Sequence, residues 1–234
     1  MTPQPPGRIK TAILISGRGS NMMALVEAAR ASDYPAEIAL VLSNRPEAPG
    51  LAWARDQDIP TGIVDHRTFP DREAFEAALQ GMLLEHQIAC IALAGFMRVL
   101  TAPFVEQWAG RMINIHPSLL PDFKGLNTYE RALAAGVARS GCTVHFVEPE
   151  MDSGPIIVQA PVAIERDDTP DGLAARILRQ EHRIYPLALG WVTSGRIKLD
   201  NGVVTVRGTL GVDADGVDAG SDTVVPALSC NTRS

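Results

Sequence analysis

The chain has 234 residues, of which 46% are hydrophobic and 21% charged, values typical of a globular protein with one core. Its formal net charge of −6 argues against general binding to nucleic acids or membranes and favours small-molecule ligands. The three cysteines lack CxxC spacing, and no secretory leader or run of about 20 apolar residues is evident. We therefore expect a cytoplasmic protein.

Apolar runs alternate with helical patterns along the first half of the chain. Strands are predicted at residues 9–15, 38–42, 61–64, 88–94 and 112–116, and helices at residues 22–31, 51–58, 71–83 and 102–108. Strands that alternate with helices predict right-handed crossovers. The fold class predicted is therefore α/β, with a doubly wound, mostly parallel, Rossmann-like sheet covered by helices on both faces.

The second half continues with a helix at residues 128–135 and strands at residues 142–147 and 156–164, which a polar loop at residues 148–155 separates. A long helix from Asp171 to the Trp191 region follows, and then a hairpin around Asp200-Asn201-Gly202. We expect residues 1–8 to be a flexible leader, residues 9–207 one domain with a C-terminal hairpin, and residues 208–234 a loosely ordered tail.

Two polar residues end the fifth predicted strand, before the chain turns at Pro117. Asn114 and His116 are two residues apart, so their side chains project from the same face of the strand. The carboxyl end of a strand in such a sheet opens on a ligand-binding crevice. There His116 could move a proton and Asn114 could donate to an oxyanion. The alternative is a structural pair, with His116 on a backbone carbonyl and Asn114 starting a turn.

A glycine-containing turn at residues 16–21 joins the first strand to the first helix. Its glycines and the unpaired amides of the helix N-terminus could hold a phosphate. The turn matches neither the P-loop nor the dinucleotide pattern. The alternative is an ordinary turn in which Ser20 or Asn21 caps the helix.

Two carboxylates stand out. Asp152, in a turn, could orient a histidine and stabilise its protonated form, although such a residue is more often a plain turn aspartate. Glu181 falls on the apolar stripe of the last helix, where a carboxylate needs a ligand or a partner such as Arg176 or Arg98.

The five histidines show no ligand spacing, so we predict no metal, and the absence of GxSxG argues against a serine hydrolase.

Five motifs together resemble the phosphoribosylglycinamide formyltransferases, which belong to the folate-dependent formyltransferases and act in purine synthesis. They lie, in chain order, at residues 15–21, 94–98, 114–121, 141–147 and 152–155. The resemblance covers residues 9–199 and departs from the family where Asn127 and Tyr129 replace frequent histidines and where Arg18 replaces an asparagine of some relatives.

The resemblance implies transfer of the formyl group of 10-formyltetrahydrofolate, a co-substrate, to the amine of glycinamide ribonucleotide, by direct attack through a tetrahedral intermediate. It implies a monomer or homodimer without nucleic-acid or membrane partners. The implied catalytic residues are Asn114, His116 and Asp152. The implied ribonucleotide contacts are Gly19, Ser20, Asn21 and Glu181, and the implied folate contacts are Arg72, Phe96, Met97, Arg98, Val99, Leu100 and Val147.

Three alternatives remain at this point. A formyl-tetrahydrofolate hydrolase uses a similar triad but usually carries an additional N-terminal domain. A transfer RNA formyltransferase would need a further C-terminal domain and a more basic surface. A non-catalytic nucleotide-binding module would have no reason to gather Asn114, His116 and Asp152 around one crevice.

Overall fold

The computed structural model describes residues 7–207, so most of the predicted leader and the whole predicted tail lie outside the described residues. The strands are β1 (Ile9–Ile15), β2 (Ala36–Ser43), β3 (Thr61–Ile63), β4 (Cys90–Leu93), β5 (Met112–His116), β6 (Arg139–Phe146), β7 (Ile156–Ala163), β8 (Ile197–Asp200) and β9 (Val203–Val206). The α-helices are α1 (Ser20–Ala28), α2 (Pro49–Asp56), α3 (Arg72–Glu85), α4 (Ala102–Gln107), α5 (Thr128–Ala135) and α6 (Pro170–Thr193), with a 3-10 turn at His66–Thr68.

Seven strands form one sheet in the order β3-β2-β1-β4-β5-β6-β7. Strands β1 to β5 are parallel, whereas β6 runs antiparallel to both β5 and β7. The chain winds outward from β1 to β3 and then returns to the other side of β1 at β4. This reversal places a crevice beyond the carboxyl ends of β1 and β4, where sheets of this type bind ligands. The predicted α/β class with a mostly parallel sheet is confirmed.

Helices cover both faces of the sheet. Helices α1, α2 and α6 bury residues such as Leu25, Leu51 and Leu189 on one face, and helices α3 and α4 bury Leu79 and Phe104 on the other. A sheet buried on both sides needs strands that are apolar throughout, and five consecutive residues of β1 are buried. The fold thereby leaves mainly the strand ends free for polar side chains.

Several predicted boundaries need correction. Helix α1 begins at Ser20 rather than residue 22, and its N-cap is Gly19, with φ 74° and no side-chain cap bond, so the capping role considered for Ser20 or Asn21 is wrong. Strand β6 begins at Arg139, three residues before the predicted start. By contrast, the bounds predicted for β1, β5 and α5 are confirmed.

Within residues 7–207, no helix combines the length and the apolar character needed to cross a bilayer. The same part of the chain contains no group of His, Cys, Asp or Glu side chains arranged to hold a metal ion. Cys90 and Cys142 are buried free thiols, and burial raises the pKa of the Cys90 thiol to about 12.

Candidate active site

Strand β6 brings a second histidine to the end of β5. In the antiparallel register Asn114 pairs with His145, and the Asn114 amide Nδ2 lies 3.2 Å from His145 Nε2. Because Nδ1 of His145 is 2.8 Å from the carbonyl oxygen of Phe146, Nδ1 carries the proton and Nε2 accepts from Asn114. Burial is the main reason that the pKa of His145 is lowered, which keeps the ring neutral. The second N–H of Asn114 is thereby left for a ligand.

His116 is 6% exposed at the last residue of β5. Its Nε2 donates to the carbonyl oxygen of Phe123 over 3.1 Å, since that oxygen can only accept. The other ring nitrogen, Nδ1, lies 3.5 Å from Asp152 Oδ2. In the neutral ring Nδ1 is unprotonated, so it is the atom of His116 that can accept a proton, and Asp152 lies where it stabilises the resulting charge.

Asp152 lies between the two histidines. Its Oδ2 accepts a hydrogen bond from the Gly125 backbone N–H over 2.9 Å, and its Oδ1 lies 3.9 Å from His145 Nε2. The neighbouring Ser153 hydroxyl bonds the Lys124 ammonium. The structure thus brings Asn114, His116 and Asp152 together, and their catalytic roles stay a prediction.

Glu181 is 5% exposed and accepts a hydrogen bond from Asn21 Nδ2 over 2.6 Å. Burial raises the pKa of Glu181, and the Asn21 bond opposes this rise. The alternative salt bridge with Arg176 is wrong, because Arg176 Nη1 donates to Asp168 Oδ1 over 2.7 Å, and Asp168 directly precedes the N-cap of α6. The Asn21 Oδ1 atom is buried and meets no donor among the described residues. A buried acceptor without a donor is costly unless a ligand supplies one.

The N-terminus of α1 lies beside this carboxylate. Since Gly19 provides no side-chain cap and the first helical bond is Met23 N to Gly19 O, at 2.9 Å, the amides of the first turn are free of intrahelical partners. Such a terminus attracts an anion. A Cβ on Gly19 would meet the Met22 side chain at 3.0 Å and would strain a backbone with positive φ.

One hydroxyl connects this loop to the predicted folate segment, residues 96–100. Ser16 Oγ accepts from the Met97 backbone N–H over 2.7 Å and donates to Asn44 Oδ1 over 2.5 Å. Ser16 is 7% exposed and Asn44 is 1% exposed. The hydroxyl therefore adds a side-chain link between the ends of β1 and β4, beside the backbone bond from the Ser16 N–H to the Gly95 carbonyl oxygen at 3.1 Å.

The folate segment exposes unusually large apolar side chains. Met97 is 59% exposed and Val99 is 53% exposed, and Met151, in the loop that carries Asp152, is 55% exposed. Apolar surface of this kind suits an aromatic ligand. Phe96, Arg98 and Val147 are half-buried and Leu100 is buried. Arg72 is exposed at the first residue of α3, and its role stays a prediction.

Two of the positions at which the sequence departs from the resemblance follow Gly125, whose backbone N–H binds Asp152. Asn127 is the N-cap of α5 with φ 55°, and Tyr129 packs half-buried against the core. Burial and the nearby Glu181 raise the pKa of the Tyr129 phenol, so this hydroxyl stays protonated at neutral pH.

Comparison with known proteins shows the class to which this fold and cluster belong. The formyl transferase family matches residues 9–189 of the chain. The chain therefore belongs to the formyl transferase family.

Particular relatives narrow this class. The phosphoribosylglycinamide formyltransferase of Haemophilus influenzae is 41% identical over 85% of this chain and 94% of its own length, and that of Escherichia coli is 40% identical over 84% and 92%. The trifunctional purine biosynthetic protein adenosine-3 of Bos taurus is 46% identical over 84% of this chain. This chain spans 20% of that larger protein.

Solved structures agree. The phosphoribosylglycinamide formyltransferase of Coxiella burnetii superposes with a TM-score of 0.81 at 46% identity, covering 85% of this chain and 93% of that one. Glycinamide ribonucleotide transformylase 1 of Symbiobacterium toebii gives a TM-score of 0.82 at 41% identity, with 85% and 94% covered.

Proposed function

We propose that this protein transfers the formyl group of 10-formyltetrahydrofolate to the amine of glycinamide ribonucleotide. The observation that carries the proposal is the position of the Asn114, His116 and Asp152 cluster at the carboxyl ends of the strands, where an unpaired helix N-terminus and a buried carboxylate also lie. The bacterial relatives, which this chain matches over nearly their whole length, are named phosphoribosylglycinamide formyltransferases, and this supports the proposal.

Glycinamide ribonucleotide has a phosphate at one end and an amine at the other, and the site offers a group for each part. The amides after Gly19 would bind the 5′-phosphate, with Ser20 and Asn21 in the first turn of α1. Glu181 would accept hydrogen bonds from the ribose or glycinamide part, and Asn21 Oδ1 would gain the donor it lacks. These assignments explain a carboxylate on an otherwise apolar helix stripe.

The folate would lie between residues 96–100 and the loop that carries Asp152. Met97, Val99 and Met151 would cover the aromatic part of the folate, which their exposure favours. Backbone groups of residues 96–100 would bond the polar edge of the pteridine. The hydrogen bond from the Met97 N–H to Ser16 Oγ holds this segment in place. Arg72 would meet the anionic folate tail.

The reaction we propose is direct transfer. The amine nitrogen attacks the formyl carbon, and the carbonyl oxygen becomes a tetrahedral oxyanion that the free N–H of Asn114 stabilises. His116 Nδ1 takes the proton that the amine loses, while Asp152 stabilises the imidazolium. The C–N10 bond then breaks, and N10 receives the proton that His116 took up, either directly or through a water ordered by Asp152. The products are formylglycinamide ribonucleotide and tetrahydrofolate, and His116 is again neutral. Holding both substrates in one crevice supplies much of the rate.

The nearest alternative is hydrolysis of 10-formyltetrahydrofolate, which the same cluster could perform with water as the acceptor. An assay of folate product with and without glycinamide ribonucleotide separates the two activities. Product that depends on the ribonucleotide and disappears in His116→Ala supports the transferase. Product that forms equally without the ribonucleotide would indicate the hydrolase, and no product in either case would favour a binding module.

A further inference from the structure

A short loop holds both members of the proposed acid/base pair. The carbonyl oxygen of Phe123 accepts from His116 Nε2 over 3.1 Å, and the backbone N–H of Gly125 donates to Asp152 Oδ2 over 2.9 Å. These two backbone groups lie in residues 123–127, two residues apart. The conformation of this loop therefore sets where the imidazole and the carboxylate stand relative to each other.

The loop has an unusual backbone. Phe123 has φ 53°, Gly125 has φ 80° and Asn127 has φ 55°. Side chains with a Cβ seldom adopt positive φ, and phenylalanine in particular gains nothing locally from it. Two of the five residues, Phe123 and Asn127, have positive φ without being glycine. Contacts with the surrounding structure must therefore hold the loop in this conformation.

Arg131, an exposed residue of α5, supplies such contacts. Its Nη1 donates to the carbonyl oxygen of Lys124 over 2.6 Å and reaches that of Leu126 at 3.3 Å. Its guanidinium carbon lies 5.6 Å from the centroid of the Phe123 ring. One side chain thus contacts three residues of the loop.

We propose that Arg131 is a positioning residue for formyl transfer: it holds residues 123–127 in the conformation that aligns His116 with Asp152. Its effect on turnover rests on the proposed function, whereas its effect on the loop does not. Arg131 acts through the backbone of the loop and leaves the substrate contacts described above to other residues.

The chemistry of the contacts favours arginine over lysine. A planar guanidinium can donate to two carbonyl oxygens at the loop while it stacks on an aromatic ring. A lysine keeps the charge but presents a compact ammonium that cannot stack in the same way. We therefore expect Arg131→Lys to retain part of the effect and Arg131→Gln to lose it.

The test compares Arg131→Gln and Arg131→Lys with the wild type and with Arg55→Gln, which removes an exposed arginine of α2. Steady-state assays give kcat and KM for both substrates. In parallel, spectra of protein labelled with nitrogen-15 glycine follow the Gly125 amide, whose bond to a carboxylate makes its proton resonance distinctive and its exchange slow.

We expect kcat of Arg131→Gln to fall about tenfold, with KM for both substrates changed less than about twofold, and with Arg131→Lys in between. The Gly125 amide of Arg131→Gln should shift and exchange faster, while Arg55→Gln should match the wild type. An unchanged Gly125 amide, or an unchanged kcat in an active enzyme, would overturn the proposal. If the wild type lacked transfer activity, the proposed function would fail, and the Gly125 amide would still decide whether Arg131 holds the loop.

Discussion

The Asn114 amide donates to the unprotonated Nε2 of His145 over 3.2 Å. Because the His145 Nδ1 proton is directed at the Phe146 carbonyl oxygen, the ring has one tautomer and the amide one orientation. In the proposed mechanism His145 does not face the formyl group. It nevertheless determines that Asn114 presents an N–H, and not its oxygen, to the oxyanion.

Replacing His145 tests this relationship. His145→Leu removes the acceptor, so Asn114 loses its fixed orientation, and we expect kcat to fall about 10- to 100-fold. His145→Gln keeps an acceptor oxygen and should retain more activity. Steady-state kinetics at saturating substrates measure both. Equal activity of the two variants would show that the hydrogen bond to Asn114 does not matter.

Asp152→Asn removes the negative charge beside His116 and leaves the shape of the side chain. We expect kcat to fall about 10²- to 10⁴-fold, while the affinity for glycinamide ribonucleotide, measured by calorimetry, stays the same. Asp122 is exposed and directly precedes the 123–127 loop. Asp122→Asn is therefore the matched control and should behave as wild type. Unchanged turnover in Asp152→Asn would remove Asp152 from the mechanism.

Glu181→Gln should separate stability from binding. The pKa of Glu181 in the folded protein lies above its usual 4.5 because of burial, so the native state keeps a proton that the unfolded chain releases. Its contribution to stability therefore falls as the pH rises from 4.5 through the folded pKa. At pH near 8, Glu181→Gln should melt above wild type, by roughly 2–4 °C for each kcal/mol of burial cost that the neutral amide avoids.

We expect two further results for Glu181→Gln. The gain in Tm should shrink as the pH is lowered toward 4.5, and KM for the ribonucleotide should rise about tenfold because a charged acceptor is lost. Thermal melts across pH, with kinetics at one pH, measure both. A gain in Tm that grew on acidification would contradict the assignment.

Ser16→Ala removes the hydroxyl between Asn44 and the Met97 backbone. The buried Asn44 Oδ1 and the Met97 N–H then lose a partner, which costs about 1–3 kcal/mol. KM should rise for both substrates because the two segments are linked less firmly, although the bond from the Ser16 N–H to the Gly95 carbonyl oxygen remains. Ser140→Ala is the control, since its hydroxyl is equally buried but has no hydrogen-bond partner among residues 7–207. If both variants lost the same stability and neither KM changed, the connecting role of Ser16 would be wrong.

Where the signal is local, the sequence predicted the strands and the shared face of Asn114 and His116 well. Strands β1 and β5 are apolar runs whose ends coincide with Ser16 and Pro117, and their bounds are confirmed. The position of Asn114 and His116 on one face follows from strand geometry alone. The start of β6 was missed because Ser140 and Gly141 are not apolar, although both are buried in the sheet.

Contacts between distant segments could not be predicted in this way. The partner of Glu181 is Asn21, which is 160 residues away, and no helical periodicity indicates it. His145 becomes a neighbour of Asn114 only through the antiparallel pairing of β5 and β6. A histidine inside an apolar strand carries no signal of this kind, so its role was not predicted.

The fate of an isotope-labelled formyl group tests the central claim most directly. Labelled 10-formyltetrahydrofolate and glycinamide ribonucleotide are mixed with excess protein, quenched within a single turnover and separated. We predict that the label passes to formylglycinamide ribonucleotide, with none retained on the denatured protein. Label recovered as formate, or bound covalently to the protein, would contradict direct transfer at the Asn114, His116 and Asp152 cluster.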